Sequence, residues 1–90
     1  MVSESTIIRN KSGLHARPAS DFVQAANKFT SSIKVQREEK KEDCANAKSI
    51  LEILMLGLFQ GEKIVISAEG NDEKAAVSAL IALVDSGFGE

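Results

Sequence analysis

The sequence predicts an α+β fold: an open-faced sandwich of a four-stranded antiparallel sheet with three helices on one face, in the order β-α-β-β-α-β-α. Three observations predict it. Two stretches, residues 19–29 and 76–84, repeat apolar side chains at helical spacing. Short alternating stretches at residues 33–36 and 63–68 lie between them, with the period of half-buried strands. A third apolar stretch, residues 49–56, is too short and too uniformly apolar for a strand facing solvent and reads as a helix. The 90 residues contain no repeat, linker or low-complexity tract, so a single domain over 1–90 with a modest core is expected.

Taken in order, residues 6–9 are the expected first strand. The first helix is expected from about Ala16, because Ala19, Phe22, Val23, Ala26 and Phe29 fall on one face while Ser20, Asp21, Gln24, Asn27 and Lys28 face away. Pro18, with its fixed φ and missing N–H, suits the first helical turn and places the helix start close to His15. Ile33 and Val35 alternate with Lys34 and Gln36 in a second strand, and a third near residues 43–46 pairs with residues 33–37 across a hairpin. That hairpin, Arg37-Glu38-Glu39-Lys40-Lys41-Glu42-Asp43, is charged throughout with mixed signs and reads as a solvated tip.

Ser49-Ile50-Leu51-Glu52-Ile53-Leu54-Met55-Leu56 follows, with Ser49 suited to the helix N-cap. A chain of this size cannot engulf such a helix. Ile53 and Leu56 are therefore assigned to the core, and Ile50, Leu51 and Leu54 to an exposed rim near His15. Phe59, just before Gln60-Gly61, is a further candidate for exposure. Ile64, Ile66 and Ala68 then alternate with Lys63, Val65 and Ser67 in the last strand. The last helix follows Gly70-Asn71-Asp72, with Asn71 as cap, Ala76, Val77, Leu80, Leu83 and Val84 inward, and Gly87 as its end.

Composition narrows the function. A net charge of −2 without a concentrated basic patch argues against nucleic acid as a partner. No apolar run approaches the roughly 18 residues of a membrane span, and Met1-Val2-Ser3-Glu4 lacks the basic start of a signal peptide, so a cytoplasmic protein without membrane insertion is expected. One cysteine, Cys44, cannot form an internal disulfide, in keeping with a reducing compartment. One cysteine and one histidine make no metal-ligand cluster, and no cofactor is called for.

The chemistry concentrates in Ser12-Gly13-Leu14-His15-Ala16-Arg17-Pro18-Ala19. A lone histidine at a helix start is usually nothing more than that. Here a titratable nucleophile, unpaired N–H groups of a first helical turn and an arginine converge on one point. The N–H groups of Ala16 and Arg17 would cradle an anion at the positive end of the helix dipole, and the Arg17 guanidinium would hold a phosphate's oxygens.

At this point the chain resembles HPr, the histidine-containing phosphocarrier family of the bacterial phosphoenolpyruvate-dependent sugar phosphotransferase system. The resemblance rests on Gly13-Leu14-His15-Ala16-Arg17-Pro18-Ala19. It continues through Ala47-Lys48-Ser49-Ile50, Leu56-Gly57-Leu58, Gln60-Gly61 and Ile66-Ser67-Ala68-Glu69-Gly70, nearly the whole chain. It implies the same open-faced sandwich. It implies a carrier that takes a phosphoryl group from phospho-enzyme I onto His15 and passes it to enzyme IIA domains. In the family the acceptor is Nδ1; the residues by themselves leave both ring nitrogens open. The exposed rim of Ile50, Leu51 and Leu54, with Lys48 and Ser20, is the surface expected to dock these partners. In some bacteria the resemblance also implies regulation through Ser49 by a serine kinase and phosphorylase, with a transcriptional regulator as partner.

This chain departs from the family in three places. The charged hairpin is longer than usual. Glu52 stands where the family has an uncharged or basic residue, and Gln24 and Asn27 stand where basic residues flank the site, leaving Arg17 and Lys48 as the main cations. The expected role is a carrier, a substrate of each partner rather than a turnover catalyst. A regulatory module acting through Ser49 would lack the histidine, a nitrogen-regulatory carrier would share it, and an enzyme using His15 as general base would need a deep pocket and a second acid–base group.

Overall fold

A computed structural model of the chain describes residues 1–89. The elements follow the expected order: β1 (Val2–Ile7), α1 (Ala16–Ala26), β2 (Ser32–Arg37), β3 (Cys44–Asn46), α2 (Ile50–Leu56), β4 (Lys63–Glu69) and α3 (Glu73–Asp85). The sheet order is β1-β4-β2-β3, and each neighbouring pair is antiparallel. Register explains the layering. Val35 lies opposite both Ile66 and Ala45, and Ile33 opposite Ala68, so one face of the sheet is apolar. That face closes on Ala19, Phe22 and Ala26 of α1, Ile53 of α2 and Ala76, Val77, Leu80 and Val84 of α3, all buried. The opposite face carries polar pairs such as Ser3 and Ser67, whose hydroxyls meet at 3.1 Å.

Several expectations are corrected. β1 runs over Val2–Ile7 rather than residues 6–9, because continuous pairing with β4 defines it and Thr6 is its one buried residue. Ile8 instead exchanges backbone hydrogen bonds with the 61–62 turn, donating to the Glu62 carbonyl at 3.0 Å and accepting from the Gly61 N–H at 2.7 Å. The hairpin is solvated over residues 38–42, yet its ends are not. Arg37 is only 21% exposed, with Nε 2.8 Å from Glu62 Oε1 and Nη1 3.4 Å from Asp43 Oδ2.

The cap of α3 is Asp72 rather than Asn71. Its carboxylate makes no bond to its own helix. It reaches back to accept the Ser31 hydroxyl and the N–H groups of Thr30 and Ser31, the latter two at 2.9 Å, tying α3 to the entry of β2. The Ser31 hydroxyl and then these N–H groups favour the charged form and hold the carboxyl at about 2, below the ordinary 3.8. A depressed acid stabilises the fold above its unfolded value, and that contribution is lost as pH falls from 3.8 through about 2. Asp72→Asn, which cannot titrate, is expected to lose less stability than wild type over that interval when urea midpoints are compared. Equal losses would remove Asp72 from the acid response.

Ser49 is the N-cap of α2, as expected, its Oγ accepting the Glu52 N–H at 3.3 Å. Ile53 is buried. Leu54 and Leu56 are half-buried against the core, which corrects the placing of Leu54 on the rim and only half agrees with the placing of Leu56 in the core. Leu51 is 65% exposed and Ile50 42%. Lysine therefore separates the two leucines. Leu51→Lys is expected to change stability by under about 0.5 kcal/mol, whereas Leu54→Lys forces an ammonium against the core and costs about 1–3 kcal/mol. Denaturant midpoints check this, and equal losses would show that both side chains pack alike.

Candidate functional site

His15 occupies the N-cap of α1 with extended backbone, φ −132° and ψ 158°, and its side chain makes no capping bond. The exposed imidazole is therefore not consumed by the helix it precedes. Helix geometry leaves the N–H groups of Ala16 and Arg17 without acceptors inside α1, and Pro18 has no N–H to satisfy. The first turn contains no acidic residue to oppose the positive end of the dipole. Arg17 is exposed and makes no ion pair with a described carboxylate.

Ala16 has φ 51°, a left-handed conformation that costs a residue with a Cβ about 1–2 kcal/mol. The strain lies directly between the imidazole and the helix. It persists because both sides are held. Upstream, the Asn10 side chain donates to the Gly13 carbonyl at 2.9 Å, and the Leu14 N–H donates to the Leu58 carbonyl at 3.0 Å. Gln60 Nε2 adds a bond to the Arg9 carbonyl at 2.9 Å. The last two of these bonds, with those of Ile8, zip residues 8–14 to the turn that follows α2, and the Asn10 bond braces the segment itself. Gly13, at φ 64°, lies so close to that turn that a Cβ would stand 2.4 Å from the Leu58 oxygen.

The zipped turn brings Phe59 to the histidine, with ring centroids 6.3 Å apart and planes inclined at 43°. Phe59 is exposed, as expected. The other end of α2 lies far off. Asn27 Nδ2 donates to the Lys48 carbonyl at 3.2 Å, and Lys48 Nζ to the Phe29 carbonyl at 2.7 Å, so the start of α2 sits against the end of α1. The 11-residue α1, about 16 Å long, therefore separates Lys48 and Ser49 from His15. Lys48 is committed to a carbonyl there and is not brought to the histidine as a second cation. Ser20 lies one turn into α1, its Oγ accepting from Gln24 Nε2 at 3.1 Å. Glu52 Oε1 accepts the Asn46 N–H at 2.9 Å, which turns its carboxylate toward the end of β3.

Sequence reasoning missed Met55, which is 77% exposed. The signal was present, since Leu51 and Met55 stand four residues apart in a stretch that is apolar on nearly every side. Both stand exposed on α2, and Phe59, beyond its C-cap, is exposed as well. Among the described residues no group of three His, Cys, Asp or Glu side chains could hold a metal ion, and no helix is long and apolar enough to cross a membrane. What the site offers is an exposed nucleophilic nitrogen beside backbone N–H groups and a guanidinium, a set suited to a tetrahedral anion.

A family model described as the PTS HPr component phosphorylation site matches residues 2–86. The chain belongs to the HPr family. Members of this family are phosphocarrier proteins of the phosphotransferase system. The HPr-like protein Crh of Halalkalibacterium halodurans is 45% identical over 85 residues, 94% of this chain and 98% of that protein. The phosphocarrier protein NPr of Proteus mirabilis is 45% identical over 83 residues, 92% of this chain and 90% of that protein. The crystal structure of HPr-C-His from Thermoanaerobacter tengcongensis matches with a TM-score of 0.92 at 50% identity, covering 100% of this chain and 98% of that one. The HPr fold of that neighbour is the open-faced β-α-β-β-α-β-α sandwich found here.

Proposed function

We propose that this chain carries phosphoryl groups in the cytoplasm, accepting one from phospho-enzyme I of the phosphoenolpyruvate-dependent sugar phosphotransferase system on His15 and passing it to enzyme IIA domains. The observation that carries this reading is the exposed imidazole of His15 at a helix N-cap, with no capping duty and with donors around it. A neutral ring nitrogen attacks phosphorus, the bond to the donor breaks as the N–P bond forms, and the charge on the phosphoryl oxygens falls to the Arg17 guanidinium and the N–H groups of Ala16 and Arg17. The reverse sequence delivers the group to enzyme IIA. Because His15 lies on the surface, the partner's active site closes over it, and the carrier is a substrate of each partner rather than an enzyme.

The docking surface we assign to the exposed Leu51 and Met55 of α2, with Ile50 and Ser20 as further members and Arg17 as its cation. Ser49 is the regulatory candidate by resemblance; its hydroxyl is already engaged as the cap of α2, which accounts for the serine without a kinase. The histidine speaks against a module that acts through Ser49 alone. Incubation with labelled phosphoenolpyruvate and enzyme I tests the reading. One acid-labile phosphate per chain, returned on addition of enzyme IIA, is the expected result. No labelling by a competent enzyme I, or an acid-stable phosphate, would overturn it.

A further inference from the structure

We infer that Arg37 and Glu62 are positioning residues for the histidine site, acting through the turn that holds Phe59 against the His15 imidazole. The ring is 62% exposed, so burial does little to fix it, and the backbone that carries it must do so. That backbone is bracketed by one ion pair. Glu62 Oε2 accepts the Phe59 N–H at 2.6 Å, and Arg37 Nη2 donates to the Gly57 carbonyl at 2.9 Å. Between them the guanidinium grips the carboxylate with Nε 2.8 Å from Oε1 and Nη2 3.3 Å from Oε2. Start, middle and end of the 57–62 turn are thus tied to a side chain rooted in β2, and the Glu62 carbonyl is bonded to the Ile8 N–H at 3.0 Å. The bidentate bond raises the Arg37 value and lowers that of Glu62, so the pair stays charged at neutral pH.

An aromatic wall on one side of an exposed imidazole restricts its side-chain rotation. It biases the ring toward Ala16 and Arg17, where the donors are, which raises the share of chains ready to react. The Arg37 end of the charged hairpin is then part of the site's support.

The spectroscopic test uses the whole unphosphorylated chain and does not depend on the carrier reading. Phe59→Leu removes the ring current, so the carbon-bound proton resonances of His15 are expected to move. Glu62→Ala should move them toward the Phe59→Leu positions, and Glu62→Gln, whose one amide oxygen can still accept the Phe59 N–H but whose NH2 then faces the Arg37 Nε–H as a second donor, should move them part of the way. If Glu62→Ala fails to fold, Arg37→Met keeps an apolar stem without donors and should give the same shift. Unmoved His15 resonances in Phe59→Leu would overturn the inference. So would wild-type positions in Glu62→Ala or Arg37→Met when Phe59→Leu shifts them. The kinetic arm rests on the proposed function. At saturating enzyme I the transfer rate is expected to fall about three- to tenfold in Phe59→Leu and Glu62→Ala with KM little changed, and a raised KM at unchanged rate would show a docking role instead. Wild-type chain that takes no phosphate would sink the carrier reading and leave the spectroscopic result standing.

Discussion

His15→Ala is expected to take no phosphoryl group from enzyme I while folding with unchanged stability, within about 0.5 kcal/mol. Loss should be complete because the acceptor nitrogen is gone and the chain has no second histidine. Stability should hold because the side chain is exposed and makes no cap bond, so truncation removes nothing the fold uses. Arg17→Ala gives the contrasting result. Its guanidinium is solvent-exposed, where screening limits each charge, and the N–H groups remain. Transfer should therefore slow about tenfold in both directions rather than stop. Arg17→Lys keeps the charge but loses the planar fork, and an intermediate rate is expected. Rapid-quench measurement with enzyme I and then enzyme IIA checks all three. Labelling that survives in His15→Ala, or an unchanged rate in Arg17→Ala, would remove the residue concerned from the site.

The parts legible in the sequence were those whose signal is local. Pro18 and the spacing of Ala19, Phe22, Val23 and Ala26 define α1, and they do so because the helix buries one stripe against a sheet. The alternation of Ile64, Ile66 and Ala68 marks β4 for the same reason. β1 hid its extent because an edge strand held by backbone pairing needs few apolar residues, and only Thr6 within it is buried. The α3 cap was misplaced by one residue because the Asp72 carboxylate serves Thr30 and Ser31, 42 and 41 positions away, rather than its own helix.

The site divides in the same way. His15, Arg17 and the unpaired N–H groups lie within three residues, so their convergence needs only the helix start. The neighbour of the histidine from elsewhere, Phe59, could not be inferred from spacing. It arrives through hydrogen bonds between residues 8–14 and 57–62 and through an arginine in a run that reads as pure surface. The charge pattern of residues 37–43 says nothing about Glu62, yet Glu62 decides that Arg37 turns inward. Lys48, expected with Arg17 as a main cation of the docking face, is engaged in a similar way. Its ammonium donates to the carbonyl of Phe29, a contact between residues 19 positions apart that no local pattern marks.

Gly13→Ala should be the most destabilising single methyl near the site. The residue has φ 64°, and a Cβ there would stand 2.4 Å from the Leu58 oxygen and 2.9 Å from the Phe59 Cα, both backbone atoms that cannot rotate away. Left-handed strain of about 1–2 kcal/mol adds to an overpacking cost of about 1–3 kcal/mol, and a total loss of roughly 2–5 kcal/mol is expected. Relief requires residues 58–59 to move off residues 13–14, which lengthens the 3.0 Å bond from the Leu14 N–H and carries Phe59 away from His15. Phosphorylation should therefore slow although every group that touches the phosphate is intact. Gly57→Ala supplies the control. It shares φ 64° at the C-cap of α2 but meets nothing within 4 Å, so it bears the strain without the clash and should cost only about 1–2 kcal/mol. Denaturant titration of the two variants measures the difference. Equal losses would show that residues 13 and 58 are not in the close contact on which the placement of Phe59 depends.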